Sequence, residues 1–238
     1  MAKEKRNLLI GITGCLLFII GDFLYAAVGQ NQSRQTIGIM IRAAYLDMSV
    51  WRMAASIICG IFGTALYYIG FNQMYKLLKL YNRGSKNQKL VTGFRVAYLT
   101  GTVCWGYVHS MFMNTALIFK FIFEKYGDIQ AAADIANKVF YCNAVPMITA
   151  FIIGDGILSV VIAVMVWKHI IPLKSTGARI FATLCNPLAC AGIIGNLMTL
   201  LPWPFNQLDV GSESAGHALV LVLGLVLLKK MNNGECKQ

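Results

Sequence analysis

The sequence predicts an all-α integral membrane protein with six transmembrane helices. The chain of 238 residues is 57% hydrophobic and 13% charged, with a mean hydropathy of +0.61, and a soluble domain of this size could not bury so much apolar surface. Six stretches approach the roughly 20 residues that cross the hydrocarbon of a bilayer. In chain order these segments 1 to 6 are Leu8 to Gly29, Met53 to Gln73, Phe94 to Phe119, Val139 to Trp167, Ala178 to Leu201 and Ser212 to Leu228.

All six segments are expected to be helical, because lipid offers no hydrogen-bond partners to backbone amides. No stretch outside them is long enough to fold alone, so residues 1–238 form a single six-helix membrane domain. Segment 1 follows basic residues, as a signal peptide would, but its length and its Asp22 favour a retained helix.

The basic residues predict the orientation. With a cytoplasmic N-terminus, all but six of the 21 Lys and Arg residues lie on the cytoplasmic side, as the positive-inside rule requires. We therefore expect both termini in the cytoplasm and the protein in a bacterial inner (plasma) membrane. The net charge of +11 does not indicate nucleic-acid binding, since the basic residues are spread between apolar runs. The cytoplasmic set is Lys3, Lys5, Arg6, Lys76, Lys79, Arg83, Lys86, Lys89, Arg95, Lys168, Lys174, Arg179, Lys229, Lys230 and Lys237; the exceptions are Arg34, Arg42, Arg52, Lys120, Lys125 and Lys138.

A recurring motif suggests two halves, 1–119 and 139–230. The sequence FIIGD occurs at 18–22 in segment 1 and at 151–155 in segment 4. Looser matches follow in the same order in the two halves: Arg52 and Arg179, Asn72 and Asn196, His109 and His217. Three helices per half would give an inverted-topology repeat, which is common in transporters. The alternative is a six-helix bundle with two coincidentally similar segments.

Ionisable residues inside the segments are the candidates for function, because a charge at mid-bilayer costs about 2.5 to 3.5 kcal/mol. Asp22 and Asp155 are each flanked by small residues, so we expect both to point into the bundle. His109 and His217 could relay protons with them, bind a divalent metal or hold a cation. Five further residues join the candidate substrate or ion site: Ser110, Asn72, Asn196, Trp105 and Glu213.

Other residues are interpreted as structural. Six of the seven cysteines lie in the segments without CxxC spacing and are read as small packing residues. Asn186-Pro187 should kink segment 5, because proline removes a backbone hydrogen bond. Glu213 has a second interpretation as an acid favoured by a helix N-terminus.

Three functions fit these features. The first is a small-solute transporter, proton- or cation-coupled, with the lipid bilayer and a small molecule or ion as partners and a homodimer as an alternative assembly. The second is an intramembrane enzyme acting on a lipid or apolar substrate, in which Asp22, Asp155, His109 and His217 hold a divalent metal; otherwise no cofactor is predicted. The third is a structural or assembly subunit whose polar residues only specify helix packing.

Overall fold

The computed structural model describes residues 2–233, which form helices and connecting loops without a β-strand. Lys237 and Cys236 lie outside the described residues. Seven α-helices follow one another: α1 Ala2–Ala26, α2 Val50–Tyr81, α3 Gln88–Tyr126, α4 Ile129–Trp167, α5 Thr176–Leu184, α6 Pro187–Thr199 and α7 Ser212–Asn232. Short 3-10 helices lie at Ala43–Tyr45 and Phe205–Gly211, and α6 contains a π-helical stretch, Cys190–Gly195.

Four helical stretches of the described chain are long and apolar enough to cross a membrane: α1, α2, α4 and Phe205–Asn232. The α5 and α6 pair passes the same test as one broken span, bent by 77°. The bend falls at Asn186-Pro187, where the Asn186 side chain accepts a hydrogen bond from Ala189 N and so starts the new helix. Helix α3 is long but is not among the stretches this apolar, so the described chain has four such stretches, or five if the bent pair is one span, and the expected count of six is not confirmed.

The surface of the bundle is apolar. Large side chains such as Phe62, Val103, Ile153, Val160 and Leu200 are more than half exposed. A soluble protein rarely leaves so much apolar surface in water, whereas lipid solvates it. Together with the helix lengths, this surface is typical of a membrane protein.

Helices α1 and α2 approach closely through glycines. A Cβ atom built on Gly11 would lie 2.5 Å from the Cα atom of Gly70, and one built on Gly14 would lie 2.7 Å from the carbonyl oxygen of Gly63. Only glycine allows backbones this near one another, as in small-residue contacts between membrane helices. This contact face of α1 continues through Phe18 to Asp22.

The basic stretches lie at one end of the bundle. Asn7 donates to the side chain of Gln73 across α1 and α2, and the α2–α3 turn shares a cleft with residues 168–170 after α4. Leu8 of α1 meets Gly224 near the end of α7. We call this the basic end and the other the opposite end.

At the opposite end, loops pack on the extended α3–α4 hairpin. Residues of the loop 37–48 form a second core with the last turns of α3 and the first turns of α4, including Tyr45, Phe119 and Phe140. Asn137 bonds the backbone of this loop at Ile37. The sequence segments 3 and 4 therefore stop short of the real helices.

Four of the basic residues outside the cytoplasmic set bind groups at the opposite end. Arg42 donates to Ala26 O, and Arg52 donates to Leu24 O and Ala27 O, at the C-terminus of α1. Arg34 forms an ion pair with Asp209, in which Nη2 of Arg34 donates to both carboxylate oxygens. Lys120 bonds the carbonyl of Leu46. Helix C-termini carry unpaired carbonyls and a partial negative charge, so Arg42 and Arg52 stabilise the C-terminus of α1, while Arg34 and Lys120 tie loops to the bundle.

The cysteines only partly behave as packing residues. Cys15, Cys104, Cys185 and Cys190 are free and buried, as expected. Cys142 is exposed on α4, which the sequence pattern did not indicate.

Candidate functional site

The first polar pair joins α1 and α3. His109 Nε2 lies 3.4 Å from Asp22 Oδ1, at an angle outside that of a hydrogen bond. Ser214 Oγ of α7 donates to the other oxygen of Asp22 at 3.1 Å. Gly60 of α2 makes room for the His109 ring, because a Cβ at that position would lie 2.6 Å from His109 Cβ.

The second pair joins α4 and α7 and is fully enclosed. His217 Nε2 lies 3.2 Å from Asp155 Oδ2, and the two side chains are 0% and 2% exposed. The other ring nitrogen of His217, Nδ1, is 3.3 Å from the hydroxyl of Tyr67 on α2. Since Nε2 and Nδ1 both have partners, the imidazole is held in one orientation.

Glu213 connects the two pairs. Its carboxyl group interacts with those of Asp155 and Asp22. Carboxylates that lie close together in a low-dielectric site repel each other, so a proton or a cation beside them is favourable. The five side chains therefore form one network of three carboxyl groups and two imidazoles.

Trp105 of α3 lies between the histidines. Its ring stacks on His109 with centroids 5.3 Å apart and meets His217 edge-on at 5.6 Å. Phe18 and Phe151, the first residues of the two FIIGD motifs, pack on the same indole at 4.5 and 4.7 Å. Each motif thus places its Phe on Trp105 and its Asp on the histidine of its own half.

A cavity of about 260 Å³ opens beside the first pair. Its lining contains two carboxyl groups, one imidazole and four aromatic rings, and none of its lining residues is Lys or Arg. Ile152 lines the cavity although it is 55% exposed, so the mouth reaches the apolar outer surface of α4. The lining residues are Asp22, Tyr25, Ser56, Trp105, Val108, His109, Phe112, Ile148, Phe151, Ile152, Val210 and Glu213.

The two pairs lie at one level. Each member of the two pairs lies 12 to 14 positions along its helix from the basic end, or about 18 to 21 Å at 1.5 Å per residue. The spans counted are Leu8 to Asp22, Arg95 to His109, Asp155 to Trp167 and His217 to Lys229.

Three residues of the expected site lie elsewhere. Ser110 Oγ and Asn196 Nδ2 donate to carbonyls one turn earlier in their own helices, Gly106 and Gly192, a common local satisfaction of such side chains. Asn72 accepts from Tyr98. None of the three lines the cavity.

Tyr67 and Ser214 belong to the site, and the sequence reasoning missed both. Tyrosine and serine are frequent in membrane helices, so neither stands out by type. One signal existed for Ser214: it lies next to Glu213 and three residues before His217, which puts it on their side of the helix.

The four candidate metal ligands form two separate Asp–His pairs. Among residues 2–233, no group of three His, Cys, Asp or Glu side chains is placed to hold a metal ion. Asp22 and His109 form one pair and Asp155 and His217 the other.

The fold and site together define an all-helical protein whose long apolar helices are suited to a membrane and enclose a network of carboxyl groups and histidines. Residues 1–231 match the model of a family of unknown function, DUF6796, and the chain belongs to that family. No curated protein and no solved structure matches the chain.

Proposed function

We propose that this protein is a membrane transporter for a small solute, coupled to protons through its Asp/His network. The observation that carries the proposal is the placement of the Asp22–His109 pair in the wall of a cavity, with the Asp155–His217 pair buried behind Trp105. Acid and imidazole chains of this kind relay protons in membrane transport. The cavity reaches the outer surface, while the second pair does not.

The proposal includes six crossings, with α3 as the sixth between α2 and α4, and a cytoplasmic basic end in a bacterial inner membrane. The concentration of Lys and Arg at that end supports the orientation. The equivalent contacts of the FIIGD motifs with Trp105 and with one histidine per half support an inverted repeat.

Solute-driven proton movement in proteoliposomes tests this function. The purified protein is reconstituted with an internal pH dye, and gradients of cationic, neutral and anionic small solutes are imposed. One class should move protons in the wild type, and Asp22→Asn or Asp155→Asn should abolish that movement. Asp209→Asn is the matched control, because Asp209 is paired with Arg34 outside the cavity.

Two results would count against the transporter. Either no solute class moves protons in folded wild-type protein, or the two Asn variants move them as fast as the control.

A further inference from the structure

We infer that the cavity binds a small monovalent organic cation with an apolar body, which exchanges for a proton of the carboxyl network. This inference rests on the proposed function and names the substrate class of its site. The first support is charge: Asp22, Asp155 and Glu213 face only two histidines. When all three acids are ionised, one negative charge is left to neutralise even if both imidazoles are protonated.

Protein cations do not supply that neutralisation from the cavity wall. The lining has no Lys or Arg among its described residues. Arg42 and Arg52, which follow α1 in the chain, do not line the cavity and bind the last carbonyls of α1. An uncompensated charge in a low-dielectric site is costly, so either a proton or a cationic ligand must complete the site.

The aromatic lining favours an organic cation over a bare ion. Tyr25, Trp105, Phe112 and Phe151 line the cavity together with Asp22 and Glu213. Aromatic faces attract quaternary ammonium groups, with Trp the strongest. The exposed Ile152 at the mouth lets an apolar body enter from the lipid side.

The exchange is balanced in charge. When the cation binds, one O–H bond of the network breaks, the proton leaves to solvent, and the carboxylate produced pairs with the cation. The groups that set the proton's affinity belong to five helices and are Cys15, Asp22 and Tyr25 of α1, Tyr67 of α2, His109 of α3, Asp155 of α4, and Glu213 and His217 of α7.

Calorimetric titration of the full-length protein in detergent tests the inference. The probe is benzyltrimethylammonium, and the comparison ligands are its uncharged isostere neopentylbenzene and the anion phenylacetate. Saturable binding is expected for the cation alone, with about one proton released per cation when the titration is repeated in buffers of different ionisation enthalpy. Affinity should rise with pH, because the cation competes with that proton.

Variants locate the binding site. Glu213→Gln and Asp22→Asn should each weaken binding of the cation by about tenfold or more, whereas Asp209→Asn should leave it unchanged. Cooperative thermal unfolding of each variant shows that it is folded. Equal binding of the isostere or the anion, or no saturable binding of the cation to folded wild-type protein, overturns the inference.

Different results would contradict the cation site and the transporter function. Binding of the cation without solute-driven proton movement in proteoliposomes keeps the cation site and removes the transporter. Proton movement driven by a neutral or anionic solute and blocked by Asp155→Asn, without cation binding, keeps the transporter and removes the cation site.

Discussion

At the scale of residues, the hydroxyl of Tyr67 is the least expected part of the site. It is fully buried and meets His217 Nδ1 at 3.3 Å, while Asp155 holds Nε2. The carboxyl group of Asp155 favours the protonated form of His217, and the hydroxyl of Tyr67 helps to determine which ring nitrogen carries the proton in the neutral form. Together they determine how His217 can pass a proton on.

Tyr67→Phe should separate this role from packing. The ring stays in place, so the free energy of unfolding should fall by only about 1 kcal/mol, but the pH profile of solute-driven proton movement should shift. Tyr98→Phe is the matched control, because its hydroxyl bonds Asn72 outside the cavity. Identical proton-movement profiles for the two variants would contradict a role for Tyr67.

The sequence identified the charged members of the site but not their pairing. Asp22, Asp155, His109, His217 and Glu213 stand out because ionisable groups in apolar segments are expensive. Which acid meets which histidine depends on where helices cross, and no periodicity within one helix contains that information. The uncharged polar candidates were predicted less well, because the side chains of Ser110 and Asn196 bond carbonyls of their own helices and do not line the cavity.

At the scale of elements, the α1–α2 contact holds the site in register. Glycines set the distance between the two backbones, and the same face of α1 carries Phe18 and Asp22 toward α3. A wider separation of α1 and α2 would therefore move Asp22 relative to His109.

Gly11→Ala should destabilise the protein by about 1 to 3 kcal/mol, because its new Cβ would lie 2.5 Å from the Cα atom of Gly70. The measurement is thermal or denaturant unfolding in detergent. Gly156→Ala on α4 is the control, since nothing lies within 4 Å of a Cβ built there, and its stability should be unchanged or slightly higher. Equal destabilisation by both changes would show that close packing at Gly11 is not the cause.

Hydropathy predicted where helices occur better than where they end. Asn186-Pro187 marks the bend between α5 and α6 correctly, because proline acts locally. Helices α3 and α4 extend beyond their apolar segments, since their outer turns pack on the loop 37–48. That contact is tertiary and leaves no long apolar run in the sequence.

At the scale of the whole molecule, basic stretches from separate parts of the chain meet at one end. Anionic lipid headgroups and the positive-inside rule both favour that end in the cytoplasm. In that orientation, the level of the site, about 18 to 21 Å from the basic end, would place both pairs within the hydrocarbon.

Sided labelling tests this topology, including the crossing of α3. In a cysteine-free background, one variant keeps Cys142 alone and another carries Lys86→Cys alone; both positions are exposed. An impermeant maleimide added to intact cells should label the first variant and not the second. Labelling of both from the same side would mean that α3 does not cross.

The central claim is that a solute moves through this protein in exchange for protons of the Asp/His network. Proton movement in sealed proteoliposomes tests it most directly, with an inward gradient of benzyltrimethylammonium opposed by a pH gradient. We predict that protons leave as the cation enters, that a tenfold cation gradient is balanced by about one pH unit for one-for-one exchange, and that Asp155→Asn stops the movement while Asp209→Asn does not. Cation entry with no proton movement, or proton movement unaffected by Asp155→Asn, would contradict it.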